Sequence, residues 1–109
     1  MNAQHAITLL AAGLAPIVAT LAAEPKPRLA VLTDIGGDPD DQQSMIRLMV
    51  YANEFEVEGL IASASGTPGE LKKAIVQPEL IREIVAAYGQ VRPNLAKHAT
   101  GWPTADDLS

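Results

Sequence analysis

The sequence predicts an α/β fold built on a parallel sheet, and three stretches carry that prediction: apolar runs at 29–33 and 57–65 and a helical repeat over 42–53 between them. LAVLT, residues 29–33, is short and apolar and ends in a polar cluster, as a strand covered on both faces does. Over 42–53 the apolar Met45, Leu48, Met49 and Ala52 recur three and four apart, with Gln43 and Arg47 elsewhere, which is the helical period. Residues 57–65 follow a short turn and read as the next strand. Strand, crossover helix and strand in this order make a right-handed βαβ unit.

The remaining elements follow in chain order. EPKPR, residues 24–28, is a polar, proline-rich joint ahead of the first strand, and DIGGDPDD, residues 34–41, is a loop dense in Gly, Pro and Asp. SGTPG, residues 65–69, closes the second strand, and 70–76 is expected to hold a short helix. Residues 78–88 form the clearest helix: Pro78 opens it, Leu80, Ile81, Ile84, Val85 and Tyr88 share one stripe, and Gly89 is its expected stop. RPNLAKHATGWPTADDLS, residues 92–109, has too little periodicity to assign. Two parallel strands leave faces and edges that need covering, so 24–109 reads as the N-terminal portion of a larger domain, cut in mid-element near Ser109.

Residues 1–23 are a separate matter. No charged side chain occurs before Glu24 and residues 7–23 are almost wholly apolar, so the segment reads as a signal peptide, with Thr20 and Ala22 placed for cleavage after Ala22 or Ala23. The competing assignments, a membrane anchor or a buried helix, meet a run that is short for a span and interrupted by Pro16. A secreted or periplasmic protein follows, with no stable membrane insertion once the leader is removed. The folded remainder is small, and a chain of that size buries only about 60% of its unfolded surface.

Charge and composition narrow the chemistry. With 13 acidic against 8 basic residues and a net charge of -5, the chain offers no field for nucleic-acid polymers or anionic lipid. It has no cysteine, which excludes disulfides and thiolate metal sites and leaves oxygen as the metal donor in best supply.

The acidic loop concentrates that oxygen. Asp34, Asp38, Asp40 and Asp41 fall within eight residues between a buried strand and a helix start. Such crowding costs like-charge repulsion unless a cation or donor compensates. A divalent cation does so directly, since Ca²⁺ takes six to eight oxygen ligands. The location suits a ligand, because open α/β sheets bind beyond the carboxyl ends of their strands. A plainer assignment is an ordinary helix start, with Asp38 as N-cap, Pro39 first in the helix and Asp41 third. That start does not account for Asp34, nor for Gly36 and Gly37, which would let the backbone fold tightly around something, and a mixed role is open. The glycine pair is not a dinucleotide fingerprint, since it lacks a third glycine and is followed by acids.

VLTDIGGDPDDQQS, followed by VEGLIASASG, resembles the opening of the nucleoside hydrolase superfamily, in which a buried strand leads into an aspartate cluster that holds Ca²⁺. The likeness is nearest to its exported branch of nucleoside-hydrolase-like, cellulose-binding proteins, where TDIGGDPDDQQSMIRLxxYANEF is typical, and it spans roughly residues 27–102. The resemblance implies a nucleoside-hydrolase-like, Rossmann-like α/β fold. It implies Asp41 as a Ca²⁺ ligand, Asp34 as a further ligand at the strand end, and Asp40 as the base that activates water; Asp38 is an extra acid relative to ordinary members and is a candidate ligand by its place in the cluster. Thr67 stands where the hydrolases place a ribose-contacting Asn, which makes it a candidate for substrate binding. The family's later metal-binding aspartate would lie beyond Ser109, so the fragment alone is expected to be inactive.

Other polar residues say less. Trp102 beside Pro103 is a candidate sugar-stacking residue, with core packing or a subunit contact as the alternative. His98 reads as solvent-facing or locally bonded and not as a ligand, Glu54, Glu56 and Glu58 as a solvated turn and strand entry, and Met45 and Met49 as packing. The expected function is metal-assisted hydrolysis of an N-glycosidic or related glycosidic bond in the full-length protein, acting on a small-molecule or carbohydrate substrate. The rival is a carbohydrate-binding protein that uses the same loop without turnover, and a bare scaffold is the plainest reading. Association into a homo-oligomer is left open.

Overall fold

The computed structural model describes Gly13, residues 24–66 and residues 74–109. The expected leader therefore lies outside the described residues apart from Gly13, as does most of the helix expected at 70–76. Residues 74–76 are irregular and exposed. Strand β1 (Arg28–Thr33) leads through the acidic loop into helix α1 (Asp40–Met49). A single 3-10 turn (Ala52–Glu54) then turns the chain into β2 (Glu56–Ala62), and α2 (Pro78–Leu95) follows. The strands pair in parallel, as the βαβ reading expects.

The pairing contains one irregularity with consequences for packing. Leu29 pairs with Val57 but Ala30 pairs with Gly59, so Glu58 is the extra residue of a β-bulge. Strict alternation from Val57 would turn Gly59 and Ile61 inward and Leu60 outward. The bulge reverses the phase, so that Val57, Leu60 and Ala62 pack on the core while Ile61 stays exposed. Glu58, displaced outward, meets Arg28 at 2.6 Å. That contact pulls the Glu58 carboxyl below its ordinary range and raises Arg28, first through the hydrogen bond and then through charge. Both groups are exposed, and such pairs contribute little to stability.

Both helices cover one face of the sheet. The apolar stripes read from the sequence are the ones that bury: Met45, Met49 and Ala52 from the first repeat, and Ile81, Val85 and Tyr88 from α2. Full burial of a side chain such as Val85 is worth roughly 1.5–3 kcal/mol. On the opposite face the register partners Leu32 and Ile61 are 70% and 51% exposed. Parallel sheets are ordinarily covered on both faces, so among the described residues this sheet is covered on one side only.

The helix α2 runs past the expected stop. Gly89 lies in its interior and the helix continues through Pro93 to Leu95. A Cβ at Gly89 would stand 3.0 Å from the Ala105 Cβ, so the glycine serves the close approach of the C-terminal segment and not helix termination. That segment, unassignable by period, is held by side chains of α2. The Tyr88 hydroxyl donates to the Pro103 carbonyl at 2.7 Å, and Arg92 donates to the Trp102 and Pro103 carbonyls at 2.9 and 2.7 Å. Burial raises the Tyr88 phenol above its ordinary pKa. Thr104 and Asp107 then exchange hydrogen bonds, N–H to carboxylate at 2.8 Å and N–H to hydroxyl at 3.1 Å, in the manner of a capping box. The turn they open carries Leu108 into the core.

Candidate functional site

The acidic loop is anchored from its apolar residue outward. Ile35 is fully buried, the one large side chain among the described residues that is completely enclosed. The Gly37 N–H donates to the Asp34 carbonyl at 3.1 Å, and Gly36 has φ +94°, the pattern of a type II turn with glycine at its third position. A Cβ at Gly36 would lie 2.1 Å from Gln77 Nε2 and 2.9 Å from Leu80 Cδ1. The tight fold foreseen around this glycine is thus against the start of α2. The helix α1 has Pro39 as its N-cap with no side-chain capping bond, and Asp40 and Asp41 occupy its first turn. The helix start foreseen with Asp38 as cap is shifted by one residue.

Two of the four acids share a cleft. Asp34, just after β1, and Asp41, in the first turn of α1, line a depression of about 420 Å³ together with Thr33, Ser44 and Ser63. Val31, Met45 and Leu48 supply its apolar wall. The Thr33 hydroxyl donates to an Asp41 carboxylate oxygen, tying the end of the strand to the start of the helix. This is the carboxyl end of both strands, where ligands of open α/β sheets bind. Asp38 and Asp40 are exposed and are not among the residues lining the cleft.

Sequence reasoning missed Ser65. Its side chain is buried, at 3% exposure, two residues beyond Ser63, and its hydroxyl has no hydrogen-bond partner among the described residues. Leaving a buried hydroxyl unpaired costs on the order of 1–3 kcal/mol. A serine within the small-residue run SASASG carried no pattern by which it could be singled out.

The donors fit a hard divalent cation in kind, being carboxylate and hydroxyl oxygens with an orphaned hydroxyl close in sequence. In number they supply part of a coordination sphere: among the described residues no three His, Cys, Asp or Glu side chains come together. Thr67 lies outside the described residues. Trp102 is half-buried and belongs with Phe55 and Glu56, at the opposite end of the strands from Asp34 and Asp41. His98 is exposed, as expected.

Comparison with known proteins gives these features a family. None of the curated proteins matches the chain. Among solved structures the chain is similar to a nucleoside hydrolase-related hypothetical protein from Saccharophagus degradans that is associated with carbohydrate metabolism. Identity is 37% and the TM-score 0.55, over 77% of this chain and 19% of that one. The chain thus spans about a fifth of that relative's length. Residues 28–109 match the family described as Cellulose-binding Sde182, nucleoside hydrolase-like domain. That range begins at the first residue of β1 and takes in every element of the fold, and the chain belongs to this family.

Proposed function

We propose that the cleft between the end of β1 and the start of α1 binds saccharide hydroxyls, with Asp34 and Asp41 as carboxylate ligands to a Ca²⁺ ion. One observation carries the reading: two carboxylates from opposite ends of the acidic loop line one cleft with the hydroxyls of Thr33, Ser44 and Ser63. Vicinal sugar hydroxyls suit such a surface, because carboxylates accept from them while serine and threonine both donate and accept. A bound divalent ion would supply a positive centre for those hydroxyls and offset the repulsion between the acids. The family description, cellulose-binding and nucleoside hydrolase-like, supports a carbohydrate as the ligand class. Delivery outside the cytoplasm through the leader at 1–23 suits a polymeric saccharide.

The test is the response of stability to Ca²⁺. An ion that binds only the folded protein adds about 2.7 kcal/mol when it is a hundredfold above its dissociation constant. Asp41→Asn keeps an oxygen to accept from the Thr33 hydroxyl while removing the charge. The wild-type melting temperature should rise in millimolar Ca²⁺ over chelator, and the variant should lose most of that rise. Equal responses, or none in either protein, would remove Asp41 from the ligand set.

Hydrolysis is a second reading, favoured by the likeness to a nucleoside hydrolase-related structure. In it Asp40 takes a proton from the attacking water, which requires Asp40 to reach the cleft from its exposed position. Asp40→Asn should then abolish glycosidic turnover by the full-length protein and spare saccharide affinity. Turnover that survives the substitution refutes this role.

A further inference from the structure

At the amino end of the strands lies a second depression, of about 480 Å³, whose makeup differs from that of the acidic cleft. Trp102 and Phe55, both half-buried, contribute aromatic surface, with Pro25 and Pro103 beside them. Lys26, Glu56 and Asp107 contribute charge around that surface. With strands rising about 3.3 Å per residue, β1 separates this depression from the acidic cleft by about 20 Å.

The segment that carries Trp102 is held from several sides. The indole Nε1–H donates to the Ala99 carbonyl at 3.0 Å, Arg92 donates to the Trp102 carbonyl, and Lys26 Nζ donates to the Gly101 carbonyl at 2.8 Å. Gly101 has φ +83°, a conformation that an L side chain resists, and a Cβ there would stand 2.6 Å from Lys26 Nζ. With its one N–H already bonded, the indole offers a ligand only its carbon surface. Asp107 is held below the ordinary carboxylate range by hydrogen bonds from Thr104, its side chain first and then its backbone N–H, so it stays ionised as an acceptor. Lys26 spends one of its N–H donors on Gly101 and keeps two.

We propose that this depression is a saccharide site in its own right, with Trp102 and Phe55 stacking on the rings of a β-linked glucan and Lys26, Glu56 and Asp107 bonding its hydroxyls. In a β-1,4-glucan the hydroxyls and the glycosidic bonds are all equatorial, so the chain runs flat and each pyranose ring shows C–H bonds on its faces and hydroxyls at its rim, whereas the axial linkage of an α-1,4-glucan coils successive rings out of line. Aromatic carbon in the middle and charged groups around it match that division. Pre-organisation of the Trp102 segment lowers the ordering cost of binding. The proposal rests on the saccharide reading for its ligand class and on nothing in the acidic loop.

Trp102 is the single tryptophan of the chain, so its emission reports on this site alone. Cellohexaose titrated into the wild-type protein should shift that emission saturably, and chelator or Asp34→Asn should leave the shift intact. Phe55→Ala and Asp107→Asn should each weaken the apparent affinity about tenfold or more, with circular dichroism unchanged from wild type, and α-linked maltohexaose should give no shift. If either variant loses its native dichroism, Lys26→Ala takes its place and should weaken affinity in the same way. Silent emission while calorimetry registers binding would overturn this site and leave the acidic cleft as the saccharide site. Silence in both would overturn the saccharide reading altogether. A shift that Asp34→Asn abolishes, or that maltohexaose reproduces, would also refute the assignment.

Discussion

Replacing Gly36 with alanine tests whether the acidic loop is built against α2 or around a ligand. The residue sits at φ +94°, where an L side chain costs about 1–2 kcal/mol. The new Cβ would also lie 2.1 Å from Gln77 Nε2, 2.8 Å from Gln77 Cδ and 2.9 Å from Leu80 Cδ1, all inside contact distance. Gln77 is itself buried, at 8% exposure, so it has little room to swing away. Overpacking of this kind costs typically 1–3 kcal/mol, which brings the expected loss to about 2–5 kcal/mol. At about 4–8 °C per kcal/mol for a small domain, the melting temperature should fall by at least about 8 °C. Gly66→Ala is the matched control, since among the described residues a Cβ there meets nothing within 4 Å. Thermal melts of the three proteins in chelator and in millimolar Ca²⁺ would decide it. A Gly36→Ala melt within about 2 °C of the wild type would show that the loop is not wedged against Gln77 and Leu80. Loss of Ca²⁺ response without loss of stability would point instead to a ligand as what the glycine accommodates.

The remaining predictions concern acid and export. The Asp107 carboxyl is held below its unperturbed value of 3.8 by Thr104, so its stabilising contribution is complete above that pH and is lost as pH falls through the lower, folded value. Asp107→Asn should flatten that part of the acid limb of the melting curve, and an NMR titration midpoint at or above 3.8 for Asp107 would refute the cause given. Expressed with its leader, the protein should be recovered outside the cytoplasm with Ala23 or Glu24 as its first residue; N-terminal sequencing that returns residues ahead of Ala22 would sink the leader assignment.

The sequence made the βαβ frame legible because local periodicity and burial agree there: Met45, Met49, Ile81, Val85 and Tyr88 occupy the stripes their spacing predicts. It was silent where position depends on distant contacts. Glycine at 89 looks like a helix stop by local rule, yet the helix continues because Ala105 comes within 3.0 Å of the place a Cβ would take. The bulge at Glu58 is set by pairing with β1 and leaves no mark in VEGLIA beyond a glycine. The T-x-x-D of Thr104 and Asp107 was a readable signal, hidden in a stretch with no period. For the site, an acidic loop was legible as a group, but which acids face the cleft was not. Trp102 was legible as a residue for either packing or stacking, and it packs against the core, whereas its neighbours Phe55 and Glu56 come from the strand entry, far from it in sequence.

The division of the four acids has a physical origin in the apolar residue between them. Ile35 goes fully into the core directly after Asp34, so the backbone must reverse at once, and the turn closed by Gly37 N–H on the Asp34 carbonyl does this. Reversal there keeps Asp34 at the strand end, while the chain needs Gly37, Asp38 and Pro39 to travel from the buried turn to the start of α1. Asp38 falls on that outer path and is exposed. Within α1, successive residues are turned about 100° from each other, so Asp40 and Asp41 cannot face the same way. The stripe that buries Met45 and Met49 fixes the rotation of the helix; Asp41, four residues before Met45, lies on the same side and faces the strand end, where the Thr33 hydroxyl meets it. Asp40 is left on the outside. Hydrophobic anchoring at Ile35, Met45 and Met49 thereby selects Asp34 and Asp41 from a run of similar acids. A change of register in either anchor would exchange the acids that line the cleft without altering the loop's charge.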